Sequence, residues 1–526
     1  MTIPGSDPAD ERPELADAAR LARKLVRRAV RTARTQDQPL RAVLLDHLGP
    51  DAATLPTVSD TVPLYEQVNL QVGVEAWLAA SAARSHELIG VTGVQQIRFN
   101  DVTIGDLVQA RPDSVYGRAG IGAPVTMSLP SGPDRQTRPT VAFGIYLVRD
   151  GNSRLAIMLR PAGLGVRHTE VNVQVVGTSL AQAEAALREI QTLASERSVF
   201  HGQVISFGPE VFGPGTGSTP LNFLPRPSVS RDEIVLPGEL LADIERQVSG
   251  VAAHSRRLLA SGQHLKRGVL LYGAPGTGKT HTVRYLLSRL PEVTVVEISG
   301  RALGRIREAC SVARTLQPAI VVVEDVDLIA EERTARPGEH PLLFQLLNEM
   351  EGLNSAADVT FLLTTNRADL LEPALAARPG RVDLAAELPL PDAAARQALL
   401  RLYRGNLIVD DADLAAVVAR TEGVTAPFLR ELLRKAALLA AESDELGDPD
   451  IPIAVSGPQL TAALDALLDS GGRITRVLLG GQRAAEGTEK LPIPNGPAAP
   501  RPPPPARAHG GERAPAAAPQ GPRRPR

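Results

Sequence analysis

Hydrophobic and polar positions change period several times along this 526-residue chain, and each change marks an element. Between Glu14 and about Arg34, Leu15, Ala18, Leu21, Ala22, Leu25, Val26 and Val30 recur at helical spacing. The other side carries Arg20, Arg23, Lys24, Arg27, Arg28, Arg31 and Arg34, which reads as a solvated basic face over a packed stripe. Residues 140–148 and 155–159 predict strands joined by a turn at 149–153. Residues 170–176 alternate apolar and polar, as a half-buried strand should. Ser179 caps a predicted helix to about Arg197, with Leu180, Ala183, Leu187 and Ile190 on one face. Residues 212–220 have linker composition, and 239–260 follow a helical pattern. Short apolar runs at 268–272, 293–298 and 319–323 read as buried strands. Helical patterns at 392–404, 413–420, 426–442 and 459–468 follow Pro391. From Gly471 the chain turns polar and then Pro/Ala/Arg-rich, with too little apolar area to offset ordering entropy, so disorder is expected from about residue 485.

Composition narrows the classes. Lys and Arg total 57 against 59 Asp and Glu, a net charge of −2, so no global field favours nucleic acid or a membrane surface. Only Lys24, Lys266, Lys279, Lys435 and Lys490 are lysines, a bias that fits genomic composition. No Lys/Arg–aromatic surface clusters beyond the first helix and the tail, which argues against a nucleic-acid motor. The one cysteine, Cys310, rules out an intrachain disulfide and reads as a small buried apolar residue. No run of 18 apolar residues and no signal-peptide core occur, so no membrane span and a cytoplasmic location are expected. His86-Glu87-Leu88-Ile89-Gly90 begins like a zinc-hydrolase motif but lacks the second histidine, leaving residues 51–200 with no catalytic constellation.

Candidate chemistry concentrates after residue 268. Gly273-Ala274-Pro275-Gly276-Thr277-Gly278-Lys279-Thr280 satisfies G-x-x-x-x-G-K-[ST] between a strand and the helix start at His281. Glycines let successive N–H groups face one anionic centre, and the helix N-terminus adds favourable potential. Lys279 is then expected at the β/γ-phosphates and the Thr280 hydroxyl on Mg²⁺. The run 319–323 ends in Glu324-Asp325-Val326-Asp327, where a parallel sheet presents acids to its ligand crevice. One acid (Glu324, with Thr280) is expected at the metal, and the next, Asp325, at the attacking water.

Residues from about 231 to 470 resemble the ATPase module of the AAA+ superfamily, and specifically its AAA clade. The resemblance rests on the phosphate loop, the acids, Leu342 to Leu353, Leu362-Leu363-Thr364-Thr365-Asn366-Arg367, and Leu371 to Asp383 with Arg378-Pro379-Gly380-Arg381. It implies an α/β fold: a P-loop parallel sheet with helices on both faces, a small helical lid and a separate α+β N-terminal domain. The expected division is 1–50 helical segment, 51–225 α+β domain and linker, 226–389 large nucleotide-binding subdomain, 390–470 lid and 471–526 tail. ATP and Mg²⁺ are the implied cofactors. Gly273, Pro275, Gly276, Thr277, Gly278, Lys279, Thr280 and His281 would bind the nucleotide. Asn366 would sit by the γ-phosphate, and Arg378 and Arg381 would be fingers inserted into a neighbouring subunit of a hexameric homo-oligomer.

Departures from the family pattern shape the functional expectation. The acids stand in reversed order, Glu324-Asp325, and the stretch from Ser299 to Ile306 is short where a pore loop belongs, leaving only Leu303-Gly304. Pro427 and Phe428 replace a Gly-Ala-Asp-type signature, and Arg430 reads as a helix-surface arginine. The expectation is an ATP-hydrolysing ring that remodels or assembles a protein client held by residues 1–225. The alternative is a nucleotide-switched assembly scaffold with little hydrolysis and no threading.

Overall fold

The computed structural model describes residues 40–93, 102–110, 119–162, 170–207, 221–327, 342–354, 356–369, 382–443 and 451–468. The expected basic helix at 14–34, the linker at 212–220, the arginine-bearing stretch at 371–381 and the tail from 471 lie outside the described residues.

In chain order come α1 (Leu40–Leu48), β1 (Thr57–Pro63), α2 (Gln67–Ala79), β2 (Arg84–Thr92), α3 (Ile104–Gln109), β3 (Gly120–Gly122), β4 (Val125–Pro130), β5 (Thr137–Asp150), β6 (Ser153–Ala162), β7 (Glu170–Gly177) and α4 (Leu180–Glu196). The strands form one antiparallel sheet, ordered β1-β7-β6-β5-β2-β3 with β4 also on β5. Tyr146, Val148, Leu155, Ile157, Val173 and Val175 pack under α2 and α4, while Ile145, Leu147, Ala156, Met158 and Val176 pack under α1 and α3. Strand alternation puts these two sets on opposite faces, so helices cover the sheet on both sides.

Two local expectations change. β7 is buried from Val171 onward rather than half-buried: Gln174 accepts from the Ile104 N–H at 2.6 Å and Asn172 donates to the Asp60 carbonyl at 3.0 Å, while Asn172 Oδ1 is left without a partner. Leu180 is 53% exposed, because the first position of α4 overhangs the sheet while Ala183, Leu187 and Ile190 face it. Ser179 does cap the helix, accepting from the Gln182 N–H.

The second sheet uses β8 (Val204–Phe207), β9 (Leu221–Leu224), β10 (Arg267–Tyr272), β11 (Thr294–Ile298), β12 (Ala319–Val323), β13 (Val359–Thr365) and β14 (Leu384–Glu387). Its order is β14-β10-β13-β12-β11-β8-β9, parallel except for the last pair. Two of these strands, β8 and β9, come from the span read from sequence as domain and linker. Helices α5 (Gly238–Glu245) and α6 (Ser255–Ala260) precede β10, then α7 (Lys279–Ser288), α8 (Ile306–Thr315) and α9 (Leu342–Glu351) follow. The helical pattern at 239–260 is broken by a π-helical turn at Arg246–Gly250 and by His254 at φ −113°, ψ 13°. Val269, Leu271, Val295, Ile320 and Leu362 face α5 and α7; Leu270, Val296, Val321, Phe361 and Leu363 face α8 and α9. Each such buried side chain contributes about 1.5–3 kcal/mol, which is why the strands read as unbroken apolar runs. Cys310 lies fully buried here, and burial pushes its thiol up to about 12.

In the region expected as the lid, the described residues form four helices, α10 (Ala393–Tyr403), α11 (Asp411–Arg420), α12 (Ala426–Ser443) and α13 (Gly457–Leu468), around Leu400, Leu414, Phe428, Leu432 and Leu460. Among the described residues, no helix is long and apolar enough to cross a membrane.

Candidate functional site

The loop between β10 and α7 turns on glycines at positive φ: Gly273 at 147°, Gly276 at 80° and Gly278 at 98°. A Cβ at Gly273 would lie 2.4 Å from the Leu388 carbonyl oxygen. One at Gly276 would lie 3.0 Å from Thr425 Oγ1 and 3.1 Å from Pro427 Cδ, both in the lid. Backbone therefore packs where a side chain cannot go, the shape a phosphate cradle needs. The Thr277 hydroxyl donates to the Ala274 carbonyl at 2.9 Å, tightening the turn. Lys279 is buried, and its ammonium donates to the carbonyls of Gly273 and Ala274, each at 2.9 Å. Burial holds it below the usual lysine range, and the carboxylates of Asp325 and Asp327 pull against that shift.

Opposite stand the ends of β12 and β13. Asp325 is exposed, at φ 52°, and its N–H donates to Thr364 Oγ1 at 3.1 Å. The Asn366 amide donates to Asp325 Oδ1 at 3.3 Å. Asp327 is buried, and its Oδ1 accepts from the Thr365 hydroxyl at 2.9 Å and the Asn366 N–H at 3.2 Å. Glu324 is half-buried and turned toward β11: its N–H donates to the Ile298 carbonyl at 3.2 Å. Burial, with the Glu324 carboxylate next, pushes Glu297 above the usual carboxylate range while Arg284 opposes.

A cavity of about 1030 Å³ separates the loop from the lid. Pro275, Gly276, Thr277, Gly278, Lys279, Thr280 and His281 line it, with Asp325, Thr364 and Asn366 across and Tyr403, Arg430 and Arg434 above. Arg430, read as a helix-surface arginine, is exposed on α12 yet reaches this wall, its guanidinium carbon 4.6 Å from the centre of the Tyr403 ring. Gly273 and Glu324 are not on the cavity wall. Arg378 and Arg381 lie outside the described residues. Among the described residues no three His, Cys, Asp or Glu side chains group to hold a metal by themselves. The donors instead suit Mg²⁺ shared with substrate phosphates: a hydroxyl, Thr280, facing carboxylates over a glycine cradle. Sequence reasoning passed over Asp327, Thr364 and Arg284. The third acid of Glu-Asp-x-Asp was a signal for the first.

Residues 269–390 match the family described as ATPase family associated with various cellular activities (AAA). The ATP-dependent zinc metalloprotease FtsH of Mycobacterium leprae (strain TN) is 36% identical over 231 residues, 41% of this chain and 28% of that protein. The 26S proteasome regulatory subunit 10B of Dictyostelium discoideum is 35% identical over 219 residues, 39% of this chain and 56% of that one. FtsH 4 of Sphaerobacter thermophilus is 30% identical over 331 residues, 60% of this chain and 49% of that one. The chain thus spans between 28% and 56% of the length of these relatives.

Proposed function

We propose that this chain, whose residues 269–390 match the AAA ATPase family, is a Mg²⁺-dependent ATPase working as a hexameric ring on a protein client. The part of residues 1–225 that precedes β8 is the client domain in this reading, and its setting is cytoplasmic. The observation that carries it is one cavity walled by the glycine loop with Lys279, by Asp325 with Asn366, and by the lid. Relatives named as an ATP-dependent protease and a proteasome regulatory subunit support a protein client.

The chemistry follows from the residues. Loop amides and the α7 N-terminus hold the phosphates, and the Lys279 ammonium exchanges two carbonyls for β- and γ-phosphate oxygens. Thr280 and an acid at the end of β12 would hold Mg²⁺, which would supply positive charge to the phosphates when bound. Asp325 is the acid on the cavity wall, so it takes the proton of the attacking water while the Asn366 amide orients that water. Glu324, at the end of the same strand but off the cavity wall, would act on the ion only through its hydration shell. Arg378 and Arg381 reach in from the adjoining subunit to the developing γ-phosphoryl charge.

Burial of Leu303 at 5% exposure supports a ring that does not thread its client, since the remnant of the pore segment is core. The same feature, with the short Asp325 side chain, keeps open a nucleotide-switched scaffold, which would assemble on ATP with almost no turnover. Steady-state hydrolysis decides. Lys279→Ala should lose nucleotide affinity and turnover, and Asp325→Asn should keep affinity while losing about 100-fold or more in kcat. Unchanged turnover in both variants removes the assignment.

A further inference from the structure

The first domain does not hang from a linker; it shares a core with the ATPase sheet. Tyr65, in the 3-10 turn just before α2, Val68 at the start of α2, and Leu129 of β4 belong to the same buried cluster as Ile298, Ala302, Leu303, Ile306 and Cys310. The Tyr65 ring stands edge-on to Phe207 of β8, with centroids 5.7 Å apart and planes at 88°. Asn69 accepts from the Val199 N–H at 2.9 Å just before β8, and β8 itself is hydrogen-bonded to β11.

What lies under this contact matters. Residues Gly300–Arg305 form a 3-10 helix joining β11 to α8, in the position where a pore loop was expected. Ala302 and Leu303 of that helix point into the shared core. β11 ends beside the acids: the Glu324 N–H bonds to the Ile298 carbonyl, two residues before Gly300. Close-packed cores transmit displacement because they have few alternative packings.

We propose that the first domain is the output arm of the nucleotide site, fastened to residues 300–306 and displaced with them when the β11–β12 acidic end responds to bound nucleotide. The inference rests on the ATPase reading above and deepens it: work on the client is delivered by the whole first domain at this junction, not by a loop projecting into the ring.

The test is hydrogen exchange on the full chain, with and without Mg²⁺ and a non-hydrolysable ATP analogue, alongside a fluorescent-nucleotide titration of the same samples. Peptides covering 298–306, 64–70 and 125–130 should slow together, by about threefold or more. Tyr65→Ala should keep nucleotide affinity within about twofold, since Tyr65 is not on the nucleotide cavity, and keep the response at 298–306. It should lose the response at 125–130. Tyr65→Phe, which retains the ring, should behave as the unaltered protein. Nucleotide binding with a silent first domain in the unaltered protein overturns the inference and leaves the ATPase reading standing. So does a joint response that survives Tyr65→Ala. Failure to bind nucleotide at all overturns both.

Discussion

Asp325 occupies left-handed backbone at φ 52°, where a short side chain that bonds locally is tolerated better than a long one. The reversed acid order therefore has a local reason: aspartate stands at the strained position and glutamate at the relaxed one. Only Asp325 of the two is on the cavity wall. Its partner Asn366 is itself held from below, because Asp327 accepts from both the Asn366 N–H and the neighbouring Thr365 hydroxyl. Asp327 is thus a positioning residue, acting through Asn366 rather than on the nucleotide. Asp327→Asn can keep a carbonyl oxygen in the same place, so kcat should fall by no more than a few-fold. Asp327→Ala leaves the buried Thr365 hydroxyl without its acceptor, a cost of about 1–3 kcal/mol, frees the part-buried Asn366 N–H, and should lower kcat about tenfold or more with little change in KM. Equal kcat in the alanine variant and the unaltered protein would remove Asp327 from the catalytic argument.

The phosphate loop and the lid meet at Gly276, whose missing side chain faces Thr425 and Pro427 at the start of α12. Gly276→Ala adds a methyl at φ 80°, strained by itself, and presses it on lid atoms 3.0–3.1 Å away. Nucleotide affinity should fall about tenfold or more while the fold survives, read by titration and a thermal melt. Retained affinity would mean that loop and lid adjust independently. Much of this scale could be read in the sequence. β10, β11, β12 and β13 are covered on both faces, so they appear as short apolar runs, and the expected parallel sheet with helices is present. Long-range pairing was less legible: β8 and β9 are four residues each, and nothing local in Val204–Phe207 says which sheet it joins. Nor does Glu324-Asp325 say which acid faces the cavity, because that follows from one backbone dihedral. The helix expected over 239–260 is present, but its apolar period could not report the π-turn at Arg246–Gly250 or the interruption at His254.

For the whole molecule, the question is whether one chain holds a complete site. The described walls supply Lys279, Thr280, Asp325 and Asn366, and among the described lining residues only Arg284, Arg430 and Arg434 add guanidinium groups. Arg434 is paired with Glu431, and Arg430 is stacked on Tyr403. If Arg378 and Arg381 of a neighbour complete the site, their contribution is about 10³–10⁵ in rate, and a lone protomer should be nearly inert. Turnover per protomer should then rise with protein concentration until assembly saturates. Mixing gives the sharper test. A chain with Lys279→Ala has fingers but no working loop, and one with Arg378→Ala and Arg381→Ala has the loop but no fingers. Each alone should be inactive, yet a one-to-one mixture should recover about a quarter of the unaltered turnover, because a quarter of interfaces pair an intact loop with intact fingers. A mixture no more active than its components would mean that fingers and loop act within one chain, or that the arginines play no part.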